Sequence, residues 1–203
     1  MIVSPATSFQ AKTQLKMGNK TVQGSNTLRI LGVTLSNDLS FQLHVEKISN
    51  KMRSKTWALA KLKKKGLSED KLLKAYKCFI RPSVEYAAVA WHSMLTAGQA
   101  DLLERQETQA LRNIYGPSLS AAKLRKKANI EMLSKRREQL VLNFAKKSVN
   151  NPRCRGWYEE RKKPVYARRS NTVYPKYKED VARTDRHRNN PKNYLRRKLN
   201  ENQ

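Results

Sequence analysis

The chain has 203 residues, with 43 Lys and Arg against 16 Asp and Glu and a formal net charge of +27 at pH 7. A hydrophobic fraction of 38% is enough for one modest core. A chain this basic repels itself and binds polyanions, which argues against a freely soluble metabolic enzyme. Nucleic acid is therefore the first partner to consider, and an anionic membrane surface is the second.

Cysteine content and the distribution of apolar residues predict a location. Cys78 and Cys154 lie far apart and form no disulfide framework, which fits a reducing compartment. Residues 1–5 lack the features of a signal peptide, and the most apolar stretch, residues 84–95, is too short to span a bilayer. We expect an intracellular protein, in the cytoplasm or nucleus and not secreted, with no membrane partner.

Residues 1–40 carry strand and turn signals. Gly18-Asn19 separates two alternating runs, which predicts a hairpin because Gly tolerates the positive φ of a primed turn. Residues 27–35 form a further apolar run that predicts one strand, and Gly32 inside it indicates a bulge or a close backbone approach. Such short strands bury little, so we expect the edge of a sheet whose remainder is missing.

Residues 41–150 are predicted to be helical. A first helix follows Ser40 as a cap and ends near Gly66, and a second begins after Ser68 and is kinked or broken at Pro82. A third begins at Thr96 or Ala97, and shorter patterns predict helices over residues 119–127 and 131–148. The predicted buried faces are Phe41, Val45, Ile48, Met52, Thr56, Leu59 and Leu62 in the first helix; Leu72, Leu73, Tyr76, Phe79 and Ile80 in the second; Leu102, Leu103, Gln106, Ala110, Leu111 and Ile114 in the third; and Met132, Leu133, Leu140, Val141 and Phe144 in the last.

Residues 151–203 form a basic tail with 16 Lys and Arg against 6 Asp and Glu. Low apolar content and four prolines predict that this tail does not fold alone. Its aromatic residues alternate with cations and have two interpretations, stacking on bases or packing against another domain. The predicted fold class is therefore mainly α: short N-terminal antiparallel strands, a helical bundle and a poorly ordered basic tail.

The usual catalytic and metal-binding patterns are missing from the sequence. The three histidines are scattered, no Cys or His pair has metal-ligand spacing, and no glycine-rich phosphate loop occurs. Of the neighbouring carboxylates, Glu69-Asp70 is explained as helix N-terminal charge, and Glu159-Glu160 and Glu179-Asp180 as part of a solvated tail. We predict no catalytic residue, no metal and no cofactor in this chain.

Clusters of cations are the positive signal. A single charge run is usually a solvated surface, but here the excess extends along the whole chain, which favours contact with phosphates. The predicted nucleic-acid-binding residues are Lys47, Lys51, Lys61, Lys63, Lys64, Lys65, Lys135, Arg136, Arg137, Arg168 and Arg169.

Several short motifs occur in one order over residues 12–150. They are Leu31-Gly32-Val33-Thr34-Leu35 followed by Asp38-Leu39-Ser40-Phe41 and His44-Val45-Glu46-Lys47-Ile48; Tyr76 with Ile80-Arg81-Pro82; Glu85-Tyr86-Ala87 with Trp91; Leu102-Leu103-Glu104-Arg105-Gln106-Glu107 with Arg112-Asn113-Ile114; and Leu133-Ser134-Lys135-Arg136-Arg137. Together they resemble the region after the palm in reverse transcriptases of non-long-terminal-repeat retrotransposons, with jockey-like elements the most similar.

The resemblance implies a different role for each of three parts of the chain. Residues 1–40 would be the palm edge with a primer grip at Leu31, Gly32 and Val33, residues 41–150 a thumb-like helical domain, and residues 151–203 a basic C-terminal segment. The family's Tyr-x-Asp-Asp hairpin is absent from these 203 residues. Without its carboxylates no two-metal site forms, so we expect this chain not to polymerise alone, and Mg²⁺ would belong to the missing palm.

The implied partners are RNA, DNA or an RNA–DNA hybrid, together with the missing palm, and no small-molecule substrate. Two alternatives remain. The chain could complete a polymerase in trans or within a longer precursor, which an in-frame upstream Tyr-x-Asp-Asp would reveal. It could also be a stand-alone basic RNA-binding protein unrelated to mobile elements, which would require its strands to form a complete domain.

Overall fold

The computed structural model describes residues 15–22, 25–160 and 175–202, and it is mainly helical with short antiparallel strands near the N-terminus. The strands are β1 (Leu15–Met17), β2 (Lys20–Val22), β3 (Thr27–Ile30) and β4 (Val33–Ser36). The helices are α1 (Gln42–Lys64), α2 (Glu69–Ala75), α3 (Pro82–Glu85), α4 (Ala88–Trp91), α5 (Ala97–Tyr115), α6 (Ala121–Ala128), α7 (Leu133–Val149), α8 (Asp185–Arg188) and α9 (Pro191–Glu201). A π-turn (Tyr76–Ile80) follows α2, and 3-10 turns span His92–Met94 and Pro152–Trp157.

The backbone forms two compact units. The first unit contains the described residues up to Val84 together with Thr96–Ile130, and the second contains Glu85–Leu95 together with the described residues from Glu131 onward. In the first unit α5 packs along α1, while α2 and α6 pack against α5. In the second, α7 packs against α4 and α9.

The strands form two separate hairpins. The pairing of β1 with β2 around Gly18-Asn19 confirms the first predicted hairpin. The prediction of one strand over residues 27–35 is wrong, because Ile30 pairs with Val33 and the chain reverses at Leu31 and Gly32. Both turn residues have positive φ, +46° and +86°, as a type I′ turn requires. Gly32 therefore serves a tight turn rather than a bulge.

Helix α1 confirms the predicted buried face except at its end. The residues from Phe41 to Leu59 in that stripe are buried or nearly so, whereas Leu62 is exposed by 38%. Ser40 is not the cap: its backbone N–H donates to Asp38 Oδ1, and no side chain caps the N-terminus of the helix. The predicted stop is confirmed, since Gly66 follows the helix with a φ of +87°.

The turn after α2 is wider than an α-helical turn. The Arg81 N–H donates to the Tyr76 carbonyl five residues earlier, so the turn takes one extra residue. Leu72, Tyr76 and Ile80 are buried, while Phe79 is exposed by 69%. The prediction that Phe79 is buried is wrong because regular helical spacing does not hold across this turn. The predicted break is confirmed, with Pro82 beginning α3.

A buried carboxylate links three elements of the first unit. Glu107 of α5 is fully buried, where the sequence predicts Gln106 to face inward. It accepts hydrogen bonds from Tyr76 Oη at 2.8 Å and from Arg125 Nε of α6 at 3.0 Å. Burial raises the pKa of Glu107, while these two hydrogen bonds oppose the shift. At the start of α5, Thr96 forms a capping box with Gln99.

The buried stripe of α7 differs from the predicted one. Met132 and Phe144, predicted to face inward, are exposed by 39% and 36%. A fully buried arginine, Arg137, occupies a core position instead, one helical turn from Leu133 and from Val141. Polar residues are rarely fully buried, so a hydropathy pattern does not predict this stripe.

The tail is folded where the structure describes it, so the prediction of a poorly ordered tail is wrong for residues 175–202. Tyr158, Tyr177 and Leu195 form a core cluster with Val141 and Ala145 of α7. Side-chain to backbone hydrogen bonds also hold the tail. The Asn200 amide accepts from the Tyr177 N–H at 2.9 Å and donates to the Tyr177 carbonyl at 3.0 Å. Of the apolar residues in the described part of the tail, Tyr158, Tyr177 and Leu195 are buried, whereas Val181 is exposed by 92%.

Candidate nucleic-acid interface

Helix α1 presents an excess of positive charge to solvent. Within Gln42–Lys64 there are seven lysines and arginines and one carboxylate. Glu46 accepts a hydrogen bond from Gln42 at 2.6 Å. Among the described residues none of the seven cations forms an ion pair with a carboxylate. All but Lys55 are exposed, and we call the six exposed residues the α1 cationic face: Lys47, Lys51, Arg53, Lys61, Lys63 and Lys64.

Lysines crowd the C-terminal turn of α1. Lys61, Lys63 and Lys64 lie in the last turn, with Lys65 at the cap, where the helix dipole favours positive charge. Lys63 Nζ donates to the Ile114 carbonyl at 2.7 Å and so also links α1 to α5. These lysines therefore stabilise the helix end and concentrate positive charge there.

Lys55 has a structural role at the border of this face. Its Nζ donates to the Phe79 carbonyl in the π-turn and to Ser83 Oγ at 2.6 Å. Burial lowers the pKa of Lys55, and the positive charge of Lys51 lowers it further. Lys55 thus satisfies a carbonyl of the wide turn, while Lys51 is left to solvent.

The predicted primer-grip residues lie in and beside the turn of the second hairpin. Leu31 is exposed by 85%, whereas Val33 is buried. The hairpin is fixed to α1 by two contacts at Thr34: its N–H donates to His44 Nδ1 at 3.3 Å, and its Oγ1 accepts from Lys47 Nζ at 3.2 Å. Burial, and then the charge of Lys47, lowers the pKa of His44, which keeps Nδ1 available as an acceptor. The structure therefore brings Lys47 to the base of the predicted grip.

An exposed tryptophan lies on the α1 cationic face. Trp57 is exposed by 60%, and Lys61 Nζ lies 3.6 Å from the centroid of its ring. This distance is a cation–π contact. Trp57 is not among the residues predicted from the sequence to bind nucleic acid. A sequence pattern could have indicated it, because Trp57 lies off the apolar stripe of α1 and one helical turn before Lys61.

The predicted triplet Lys135, Arg136 and Arg137 does not form one surface. Lys135 is exposed, Arg136 Nε lies 3.4 Å from Glu85 Oε1, and Arg137 is fully buried. The Arg137 guanidinium lies 5.6 Å from the Trp91 ring centroid, and its Nε lies 3.5 Å from His92 Nδ1. Only Lys135 of the three is free of an ion pair and solvent-facing in the described part of the chain.

The tail residues predicted to bind nucleic acid divide into those that the structure describes and those that it does not. Arg168 and Arg169, like Tyr166 and Tyr174, lie outside the described residues. Tyr158 and Tyr177 pack edge to face in the core of the second unit, with centroids 5.7 Å apart. Trp157 is exposed by 41%. For the two buried tyrosines, packing is therefore the correct interpretation.

Two other kinds of feature, a membrane-spanning helix and a metal-binding cluster, are absent from the described residues. No helix in residues 15–22, 25–160 and 175–202 is long and apolar enough to cross a membrane. The same residues contain no group of three or more His, Cys, Asp or Glu side chains placed to hold a metal ion. Comparison with protein-family models, curated proteins and solved structures gives no significant match.

Proposed function

We propose that this chain binds nucleic acid through the α1 cationic face, as the thumb-like, C-terminal part of a retrotransposon reverse transcriptase. The observation that carries the proposal is the excess of cations on this helix without carboxylate partners in the described residues. Charges that are not neutralised within a protein are available to replace the counterions of a phosphate backbone. The role is to bind and position the template–primer, while a palm domain would catalyse polymerisation.

The second hairpin supports a polymerase context. All four residues of β3 are exposed, including Leu28 at 41% and Ile30 at 48%, and among the described residues β3 pairs only with β4. An exposed apolar strand with a free edge is a site for pairing or covering by another segment. A palm sheet would cover it, which fits the ordered motifs of residues 31–48.

Salt dependence of binding tests the proposal. Binding of a labelled 20-nucleotide strand should weaken with salt at a log–log slope of roughly −0.7 per phosphate contact, or about −4 to −6 for six to eight contacts. The triple variant Lys51→Gln, Lys61→Gln, Lys64→Gln should reduce that slope by about 2 and the affinity at 100 mM salt by tenfold or more. Fluorescence anisotropy across a salt series measures both.

A matched control removes three cations that already have carboxylate partners. Lys127 contacts Glu69 at 2.9 Å, and Lys176 and Arg188 have similar exposed pairs. The variant Lys127→Gln, Lys176→Gln, Arg188→Gln changes the net charge equally. It should lose affinity by less than about threefold, because none of these three residues lies on α1, where the proposed phosphate contacts are made. Equal losses in the two triple variants would attribute binding to net charge alone and contradict a role for α1.

The polymerase context has its own test, the native transcript upstream of the Met1 codon. An in-frame Tyr-x-Asp-Asp hairpin would join this chain to a palm and its metal site. An unrelated upstream exon would leave nucleic-acid binding as the whole activity. In that case the alternative of a stand-alone basic RNA-binding protein would be preferred.

A further inference from the structure

We propose that Trp57 stacks on an unpaired base, so that the α1 cationic face binds the single-stranded part of a template in preference to its duplex part. This inference rests on the proposed function and adds to it a ligand class and a discriminating residue. It is carried by the geometry of Trp57 and the cations around it.

The exposure of Trp57 has no structural explanation within the described chain. Trp91 is fully buried and Trp157 is exposed by 41%, whereas Trp57 is exposed by 60% in the middle of a 23-residue helix. Tryptophans are highly buried on average because they remove much apolar area from water. A large ring left in solvent on a well-packed helix is available for a partner.

The surroundings of Trp57 specify the chemistry of that partner. Arg53, Lys61 and Lys64 lie four residues before, four after and seven after Trp57, and so share its side of the helix. Lys61 Nζ already lies over the ring at 3.6 Å. The site therefore offers one flat aromatic surface bordered by cations. A ligand that fits must combine a planar apolar group with negative charges a few ångströms away.

A nucleotide in a single strand has both groups, and a nucleotide in a duplex offers only the second. Base pairing and stacking bury the faces of the bases, so a duplex contacts α1 through its phosphates alone. Stacking of a base on an aromatic side chain is independent of sequence. A lipid surface is a poorer fit, because the neighbours of Trp57 on this side are charged rather than apolar.

Two ligands separate stacking from charge: the oligonucleotide dT20, which does not fold, and a 20-base-pair duplex. Trp57→Leu keeps an apolar side chain with good helix propensity but removes the aromatic ring. We expect it to weaken dT20 binding about tenfold and duplex binding less than twofold. Trp57→Phe retains a ring and should lose less than threefold on dT20. Far-UV circular dichroism checks that both variants keep their helices.

Intrinsic fluorescence gives a direct readout of the contact. Stacking should quench the emission of the wild-type protein when dT20 is added. The quenching should disappear in Trp57→Phe and persist in Trp157→Phe, which is the matched control for an exposed tryptophan in the second unit. Quenching that survives in Trp57→Phe, or an equal loss of single-strand and duplex binding in Trp57→Leu, would overturn the inference.

Failure of the proposed function gives a different result. In that case the wild-type protein would bind neither ligand with the expected salt dependence. If it binds both and the Trp57 variants match it, only the inference fails.

Vesicles of 70% phosphatidylcholine and 30% phosphatidylserine test a lipid surface as the partner of Trp57. A blue shift of wild-type emission that Trp57→Phe abolishes, without quenching by dT20, would assign Trp57 to a lipid surface. That result would overturn the inference.

Discussion

The two units use the same residue types in opposite ways. On α1 the cations face solvent without carboxylate partners among the described residues, whereas the second unit places Arg137 and Arg196 in its interior. Arg196 is exposed by 1%, and it donates to the Trp157 carbonyl at 2.6 Å and to Asp180 Oδ1 at 2.8 Å. One set of cations is available to a partner, and the other holds the fold together.

The contrast between the two units shows that net charge does not indicate how many cations are available to bind nucleic acid. Lys198 illustrates this: burial opposes its charged form, yet hydrogen bonds to Glu138 and Glu201 raise its pKa above the ordinary value for lysine. Because the C-terminal tail contains few apolar residues, such contacts take the place of hydrophobic packing in it. Counting cations would assign these residues to nucleic acid, and only their surroundings separate them from the α1 cationic face.

The largest expected effect is the loss of Arg196. Arg196→Ala removes both hydrogen bonds, leaves the Trp157 carbonyl unsatisfied and opens a cavity in the second unit, so we expect a loss of about 3 kcal/mol in the free energy of unfolding. Urea denaturation followed by tryptophan fluorescence measures it, because Trp91 and Trp157 both lie in that unit.

Its control is Arg188→Ala on α8, whose side chain is exposed by 62% and lies 3.6 Å from Asp185. An exposed pair of this kind contributes about 1 kcal/mol or less. Similar losses in both variants would mean that the buried arginine has no special role, and the contrast between the units would be wrong.

Acid should weaken the second unit through His92. Burial, and then the charge of Arg137, lowers the pKa of His92 to about 4, with Glu138 opposing and Lys198 adding to the shift. Its ring also packs edge to face on Tyr194. The unfolded chain takes up a proton near pH 6.5 and the folded protein only near pH 4. The contribution of His92 to the free energy of unfolding is therefore fully present above pH 6.5. It falls towards pH 4, by up to about 3 kcal/mol.

The variant His92→Gln should flatten this part of the pH profile, because a glutamine oxygen can still accept from Arg137 but does not titrate in this range. His187→Gln on the exposed helix α8 is the matched control and should leave the slope unchanged. Urea denaturation at pH 7, 6, 5 and 4 gives the profiles. An unchanged slope in His92→Gln would assign the acid sensitivity to other groups.

The smallest effect on stability is expected on α1. Glutamine at positions 51, 61 and 64 keeps good helix propensity, while the loss of like-charge repulsion offsets the loss of favourable dipole interactions. The free energy of unfolding of this triple variant should stay within about 0.5 kcal/mol of wild type, despite its lower affinity for nucleic acid. A loss above 1 kcal/mol would show that these lysines serve the fold, and the contrast would then disappear.

The sequence predicts those parts of the fold that depend on apolar periodicity and local stop signals. The stripe of α1 from Phe41 to Leu59, the end at Gly66 and the first hairpin follow from such local rules. Features that depend on distant partners are missed. Glu107 is buried because Tyr76 and Arg125 satisfy it, and no pattern within α5 indicates that.

The candidate site shows the same limit. Lys47, Lys51 and Lys61 lie opposite the apolar stripe of α1 in the sequence pattern, and the structure leaves all three exposed. The burial of Arg137 was not predicted, because a buried arginine needs Trp91 and His92 around it. The second hairpin was missed for a different reason: Leu31 takes a positive φ that leucine rarely adopts, so the turn carried only half of its usual signal.

The π-turn after α2 is a position where one residue can be deleted from the chain. The buried residues Leu72, Tyr76, Ile80 and Val84 are spaced four apart, and the wide turn lets this spacing keep one face inward. Deletion of the exposed Phe79 would convert the spacing to four, three and four, which is the stripe of an ordinary α-helix. This turn is therefore the position in the helical region where the fold can best absorb the loss of a residue without a change of core.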